Sequence, residues 1–236
     1  MAREARGRAV LGGSFNPLHV GHLRFAVEAL ELLGPLADCV ELTPSAAPPH
    51  KNRDNLLPFE LRADMVEASV ADVPGLRCNR MESLCPGPSY TWNMLSAARE
   101  RTPGARFYFL LGLPDFSLLP TWFRGLELPA LCDFVVAPRG GADRNVFREA
   151  TLGLWPESRE CPPLVPGSLC MALPGDGRAH FLPLPTLEVS ASDIRARWLA
   201  GRSIAWLVPP TVSRMLENCR GIAAARWRDG TDNNHS

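Results

Sequence analysis

The sequence predicts an α/β protein built on a doubly wound parallel sheet. Three observations support this fold class. Short apolar runs alternate with segments of helical periodicity along most of the chain, which is typical of parallel sheets. The first apolar run leads through a Gly-Gly turn into an amphipathic segment. Helical patterns return near the C-terminal end and predict a closing helical segment. We therefore expect a Rossmann-like architecture.

Six strands are expected where short apolar runs are bounded by turn residues. In chain order they are Ala9–Leu11, Cys39–Thr43, Leu76–Asn79, Phe107–Leu111, Phe134–Ala137 and Phe181–Leu184. A proline-rich loop, residues 44–58, follows the second strand.

Six helices are expected between and after the strands. Gly34-Pro35 ends the first helix, Ser89 is a good N-cap for the third, and Pro209-Pro210 suits the first turn of the last. The helices span approximately Val20–Leu33, Phe59–Ala71, Ser89–Arg101, Phe123–Leu131, Ser192–Leu199 and Pro209–Cys219.

Residues 140–179 have a different composition, dominated by Gly, Pro, Arg and Ser with weak apolar periodicity. We interpret them as an irregular excursion from the sheet, in the simplest case a solvated loop and otherwise a lid or an oligomer contact. Residues 1–222 then form one domain that contains this insertion, and residues 223–236 form a polar tail.

The composition of the chain restricts the expected location of the protein and its expected partners. The chain has 236 residues, 46% of them apolar, and a net charge of zero, so nothing indicates nucleic acid as a partner. No apolar run approaches bilayer length, and no apolar segment follows the N-terminal arginines, so we expect neither membrane insertion nor secretion. The seven cysteines are irregularly spaced, which favours reduced thiols in the cytoplasm. A homo-oligomer is possible.

Residues 11–22 read Leu-Gly-Gly-Ser-Phe-Asn-Pro-Leu-His-Val-Gly-His and carry the clearest functional signal. A strand, a glycine turn and a helix start present backbone N–H groups to an anion, and His19 and His22 lie on one side of the first helical turn. A metal pair is less favoured because no third ligand follows at a familiar spacing. A dinucleotide-binding loop would need Gly-x-Gly-x-x-Gly, which is missing, although Glu41 mimics its ribose-binding acid. The pattern favours a phosphate site.

This segment resembles the His-x-Gly-His signature of the nucleotidyltransferase superfamily. More specifically it resembles the first motif of nicotinate-mononucleotide adenylyltransferases, Gly-Gly-Ser/Thr-Phe-Asp/Asn-Pro-x-His-x-Gly-His. Further segments match that family in order, so that the resemblance covers about residues 8–137 and 181–220. They are residues 43–51 ending in Pro-His-Lys, residues 87–91 (Gly-Pro-Ser-Tyr-Thr), residues 112–115 (Gly-Leu-Pro-Asp) followed by Trp122, Arg139, and residues 189–195 (Val-Ser-Ala-Ser-Asp-Ile-Arg).

The chain departs from the family pattern at several places, three of which affect expected contacts. Asn93 stands where the family has an aspartate after Ser-Tyr-Thr, and Ala191 replaces the middle serine of the last motif. The aspartate of the Gly-x-Asp segment falls on Pro114, so Asp115 lies one place late. Either Asp115 substitutes for it in a reshaped loop, or that contact is lost.

The resemblance implies an enzyme of NAD biosynthesis that joins ATP and nicotinate mononucleotide into deamido-NAD and pyrophosphate. It implies that His22 donates to the α-phosphate and that His19 and Arg195 hold the outer phosphates, with Mg²⁺ carried by the substrate. The expected ATP-binding and phosphate-binding residues are Gly12, Gly13, Ser14, Phe15, His19, His22, Ser190, Ser192 and Arg195. The expected mononucleotide-binding residues are Asn16, His50, Lys51, Ser89, Tyr90, Thr91, Asp115, Trp122 and Arg139.

Two other functions stay open. Another His-x-Gly-His transferase, acting on nicotinamide mononucleotide, a pantetheine or a cytidylyl substrate, would share the ATP half of the site. A non-catalytic nucleotide-binding module is suggested by the changes at Asn93, Pro114 and Ala191. Release of pyrophosphate distinguishes an enzyme from such a module.

Overall fold

The computed structural model describes residues 7–34, 36–49, 53–139, 141–182, 184 and 187–228. These residues form eight strands: β1 (Gly7–Gly13), β2 (Ala37–Pro44), β3 (Leu76–Cys78), β4 (Phe107–Gly112), β5 (Asp133–Ala137), β6 (Arg159–Cys161), β7 (Leu169–Ala172) and β8 (Arg178–Phe181). The strand order in the sheet is β3-β2-β1-β4-β5-β8-β7-β6. The six strands from β3 to β8 in this order pair in parallel, and β7 and β6 add antiparallel pairs.

Helices cover both faces of the sheet. They are α1 (Val20–Leu33), α2 (Phe59–Val70), α3 (Thr91–Arg101), α4 (Leu113–Ser117), α5 (Arg144–Leu154), α6 (Ala191–Leu199), α7 (Pro210–Asn218) and α8 (Arg220–Arg228). Alternate residues of β4 enter different cores: Tyr108 and Leu110 pack in one, and Phe109 and Leu111 in the other. The first core also contains side chains of α1, α2, α6, α7 and α8, and the second those of α3, α4 and α5. The predicted doubly wound sheet with C-terminal helices is therefore confirmed.

The prediction of an irregular segment at residues 140–179 was wrong. Asp143 caps α5 by accepting hydrogen bonds from the N–H groups of Asn145 and Val146, at 2.8 and 3.1 Å. The strands β6 and β7 then form an antiparallel hairpin that extends the sheet beyond β8. The prolines at 162, 163 and 166 lie in the connection between these strands. The composition that suggested irregular structure thus belongs to the turns.

The expectation that all cysteines are reduced was also wrong. Cys161 and Cys170 are directly opposite in the β6–β7 hairpin and form a disulfide. The other five cysteines are free thiols, of which Cys39 and Cys132 are buried. The disulfide therefore ties together the last two strands of the sheet.

Several element boundaries differ from those predicted. Tyr90, and not Ser89, is the N-cap of α3, and Ser190 caps α6. A 3-10 helix with Pro129 inside it, Gly125–Ala130, replaces the α-helix expected at 123–131. The helices α4 and α8 were not predicted, and Trp227 of α8 is 2% exposed, so a polar tail does not begin at residue 223. No helix within the described residues is long and apolar enough to span a membrane.

Candidate active site

A cleft of about 690 Å³ opens where β1, β4 and β5 end. The chain winds in opposite directions from β1 and from β4, and ligands of doubly wound sheets bind at such a point, beyond the carboxyl ends of the strands. All expected site residues that the structure describes line this cleft, apart from Phe15. His50 and Lys51 lie outside the described residues.

Gly12 and Gly13, expected in a turn, are the last residues of β1, and Phe15 supports this end of the strand from inside the protein. Phe15 is 1% exposed, and its backbone adopts a left-handed conformation with φ of 46°. A Cβ atom at Gly13 would lie 3.1 Å from the Phe15 ring, so a larger residue there would push the loop away from its support. Phe15 also meets the ring of His22 edge-on at 5.0 Å. Phe15 therefore positions the end of β1 and His22 from within the protein.

The two histidines of the first motif stack on each other at the start of α1. Their ring centroids are 3.6 Å apart, and Nδ1 of His22 accepts a hydrogen bond of 3.3 Å from the backbone N–H of His19. In a neutral imidazole one nitrogen accepts and the other carries the proton. This bond therefore places the proton of His22 on Nε2, where it can be donated to a ligand oxygen.

His19 has the more unusual environment. It is 7% exposed, and no described group forms a hydrogen bond with its Nδ1 atom. Burial, together with the positive charge of Arg139, lowers the pKa of His19 to about 4. His19 is therefore neutral at pH 7 when the cleft holds no anion.

The last motif joins the first across the cleft. Arg195 donates one hydrogen bond to the backbone carbonyl of Asn16, at 2.9 Å, and another to the hydroxyl of Ser192, at 3.2 Å. Ser190 caps α6 by accepting from the N–H of Asp193. Burial lowers the pKa of Arg195, but the guanidinium stays charged at neutral pH. The two segments that the sequence proposed as anion sites thus lie together.

Asn16 differs from expectation. Its side chain is 3% exposed and is used inside the protein, since Nδ2 donates to the carbonyl of Asn55 at 2.7 Å. Its Oδ1 accepts from the N–H of Leu57, at 3.1 Å, and from the indole of Trp227, at 3.4 Å. These bonds hold the loop that contains Asn16, which also lines the cleft, and its contact with a mononucleotide stays a prediction.

Aromatic rings form the opposite part of the cleft. Tyr90 and Phe123 stack at 4.7 Å, and Trp122 meets Phe109 edge-on at 6.3 Å. Phe123 is 47% exposed and was missed by the sequence analysis, although it directly follows Trp122. These rings offer an apolar, planar surface that suits a flat heterocycle.

The turn before α3 offers fewer donors than its sequence suggests. The N–H of Ser89 donates to the carbonyl of Ala47, and that of Tyr90 donates to the carbonyl of Pro88. The hydroxyl of Ser89 accepts from the N–H of Ala47 at 2.7 Å. The donors available to an anion are therefore those of the first turn of α3, which begins at Thr91 and has no intrahelical acceptors for them.

Asp115 and two further charged residues also line the cleft. Asp115 belongs to α4 and lines the cleft in spite of its shifted sequence position. Arg24, which pairs with Glu28, and the buried Glu82 also line it and were not predicted. Among the described residues there is no group of three or more His, Cys, Asp or Glu that could hold a metal ion.

Comparisons with known proteins identify the family of this chain. Residues 10–197 match the family model described as cytidylyltransferase-like. The probable nicotinate-nucleotide adenylyltransferase of Pelobacter propionicus is 35% identical over 89% of this chain and 95% of its own length. That of Pseudomonas syringae is 36% identical over 94% and 96%, respectively.

Solved structures share the fold at low sequence identity. The nicotinic acid mononucleotide adenylyltransferase of Plasmodium falciparum complexed with NaAD superposes with a TM-score of 0.68 at 16% identity, over 92% of this chain and 98% of that one. The same protein complexed with APC gives a TM-score of 0.67. The sheet and helices described above are therefore an arrangement found in solved structures.

Proposed function

Because the chain belongs to the cytidylyltransferase-like family, and within it to the nicotinate-nucleotide adenylyltransferases, we propose that it transfers the adenylyl group of ATP to nicotinate mononucleotide. The products are deamido-NAD and pyrophosphate, and the chain is a nucleotidyltransferase of NAD biosynthesis. One observation carries the proposal. Arg195 reaches the loop that precedes His19 and His22, over 179 residues of sequence, so that two anion-binding segments line one cleft.

The reaction needs no nucleophile from the protein. A phosphate oxygen of the mononucleotide attacks the α-phosphorus of ATP, and the bond from that phosphorus to the bridging oxygen breaks as pyrophosphate leaves. The N–H on Nε2 of His22 donates to an oxygen of the α-phosphate, whose charge grows in the transition state. Ser14, Ser190, Ser192 and Arg195 line the part of the cleft assigned to the other phosphates. Catalysis then consists of positioning and of charge stabilisation.

The protonation of His19 depends on whether a charged ligand is bound. The ring is neutral in the empty cleft because burial lowers its pKa. A triphosphate beside it favours the charged form and raises that pKa towards the usual value. A bound triphosphate therefore favours the protonated form of His19, which can then donate to the outer phosphates.

The aromatic half of the cleft holds the mononucleotide. Trp122, Tyr90 and Phe123 supply ring faces for the pyridine. The N–H groups of the first turn of α3 carry the partial positive charge of a helix start, which suits the carboxylate of nicotinate better than an amide. This turn is the proposed basis of substrate choice.

Nucleotidyltransferases of this family generally use a divalent metal ion. The cleft presents histidine, arginine and serine to the phosphates, so its protein donors suit anions rather than a cation. We propose that the ion is Mg²⁺, held by phosphate oxygens and water. When bound, it neutralises charge on the triphosphate.

A coupled assay of pyrophosphate release tests the proposal. The chain is incubated with ATP, Mg²⁺ and either nicotinate mononucleotide or its amide. We expect kcat/KM to favour the nicotinate by about ten- to two-hundredfold, because an unpaired donor facing the amide NH₂ costs about 1–3 kcal/mol. Equal use of both substrates contradicts the carboxylate site.

Two further results would change the assignment. Pyrophosphate release with a pantetheine or cytidylyl substrate alone indicates a different transferase. Nucleotide binding without any pyrophosphate release indicates a non-catalytic module. The single domain, the cytoplasmic location and a homo-oligomer remain predictions.

A further inference from the structure

Arg62 connects three segments of the chain from inside the protein. This residue of α2 is 1% exposed, and each of its guanidinium nitrogens donates to a different backbone carbonyl. Nε donates to Leu57 at 2.9 Å, one terminal nitrogen to Ser14 at 2.6 Å, and the other to Ser45 at 2.9 Å. Ser14 directly follows β1, and Ser45 directly follows β2. The planar guanidinium of arginine carries three nitrogens, so it can donate to three such acceptors at once.

Glu82 extends this connection to a fourth segment. It is 7% exposed and accepts a hydrogen bond from the N–H of Ala46 at 3.3 Å, and the neighbouring Ala47 donates to the hydroxyl of Ser89. Burial raises the pKa of Glu82, whereas the nearby charge of Arg62 lowers it. Burial also lowers the pKa of Arg62 to about 10, so the guanidinium remains protonated at pH 7.

The connected segments border both halves of the cleft. Ser14 lies in the phosphate-binding loop, Ser89 directly precedes Tyr90 of the aromatic part, and both line the cleft together with Ser45 and Glu82. The N–H of Ser45 also donates to the carbonyl of Gly13, at 2.8 Å, where the ladder between β1 and β2 ends. Among the contacts of the described residues, Arg62 adds a second link between these two loops.

We propose that Arg62 is a positioning residue that fixes the distance between the triphosphate half and the mononucleotide half of the cleft. The inference rests on the proposed function, since it concerns two substrates that must meet. An attacking oxygen must lie in line with the α-phosphorus, and a small displacement of one substrate lowers the rate strongly. Each substrate is held mainly by its own loop, so a change in loop spacing affects the reaction more than it affects either binding step.

The test compares Arg62→Met with Arg80→Met. Arg80 forms ion pairs with Glu60, Asp64 and Glu67 of α2. Replacing Arg80 therefore removes contacts of α2 at the protein surface. We measure kcat, both KM values and urea denaturation for each protein. Arg62→Met should lower kcat by about tenfold or more with each KM changed by less than about threefold. Arg80→Met should leave kcat and both KM values unchanged.

Arg62→Lys covers the case in which Arg62→Met does not fold. It keeps the charge, but its single nitrogen cannot reach three separated carbonyls, so kcat should again fall with little change in KM. Wild-type kcat in a folded Arg62 variant, or a raised KM at unchanged kcat, overturns the inference while the proposed function stands. A wild-type protein that forms no product overturns the proposed function and the inference with it.

Discussion

Acid should destabilise this protein through His19, and the size of the effect follows from the burial of that ring. The pKa of His19 is about 4 in the folded protein and 6.5 in an exposed imidazole. The unfolded chain therefore binds a proton more readily than the folded one at pH values between these two. Stability that is fully present above pH 6.5 is lost as the pH falls towards 4.

The difference between 6.5 and about 4, at 1.36 kcal/mol for each pH unit, gives a total loss of about 3 kcal/mol. At pH 5 the loss relative to pH 8 is about 2 kcal/mol, because only part of the titration is complete. This is a large fraction of the stability of a typical domain.

The assay is urea denaturation of the wild type and of His19→Asn at pH 8 and pH 5. Carboxylates such as Glu82 titrate in both proteins, so comparing the two proteins isolates the contribution of residue 19. Between pH 8 and pH 5 the wild type should lose about 2 kcal/mol more of its free energy of unfolding than the variant does. Equal losses would show that His19 is not held in the neutral form by burial.

Three other predictions concern single sites. His22→Ala should lower kcat roughly a hundredfold or more with unchanged circular dichroism, because a lost transition-state donor costs that much; a kcat within a few-fold of the wild type refutes its role. Lys51 is the one lysine among 25 Lys and Arg residues. Lys51→Arg should lower kcat/KM about tenfold, since a planar guanidinium cannot replace a compact ammonium, and Arg101→Lys is the control that should change nothing. Reducing the Cys161–Cys170 bond, which closes a loop with a sequence separation of 9, should lower the free energy of unfolding by about 2–3 kcal/mol. Equal urea midpoints with and without reductant would contradict this.

The sequence predicted the fold well where pattern and turn chemistry agree. The helix α1 has the predicted bounds, Val20–Leu33, because an apolar stripe ends at a glycine. The region of residues 144–172 was missed because prolines and glycines in its connections obscured three short elements. The disulfide between Cys161 and Cys170 could not be foreseen either. It depends on the register of the hairpin, which the irregular spacing of the cysteines does not reveal.

The sequence motifs predicted which residues line the site, but they did not predict which of those residues are buried and bonded inside the protein. Sequence alone placed His19, His22 and Arg195 at one ligand, and the structure brings them to one cleft. It could not show that Asn16 is used internally, because a polar residue in a loop is usually exposed. Arg62 was missed for the same reason, since an arginine in an amphipathic helix normally lies in solvent.

The bond from Trp227 to Asn16 has a consequence for the order in which the molecule is assembled. It joins residues 211 positions apart, and the bond from Arg195 to the same loop spans 179. A chain made on the ribosome emerges from its amino end, so the loop is synthesised long before the residues that fix it. The nucleotide site is thus completed only after α8 has left the exit tunnel, and a nascent chain that lacks α8 has the first motif without the bond from Trp227.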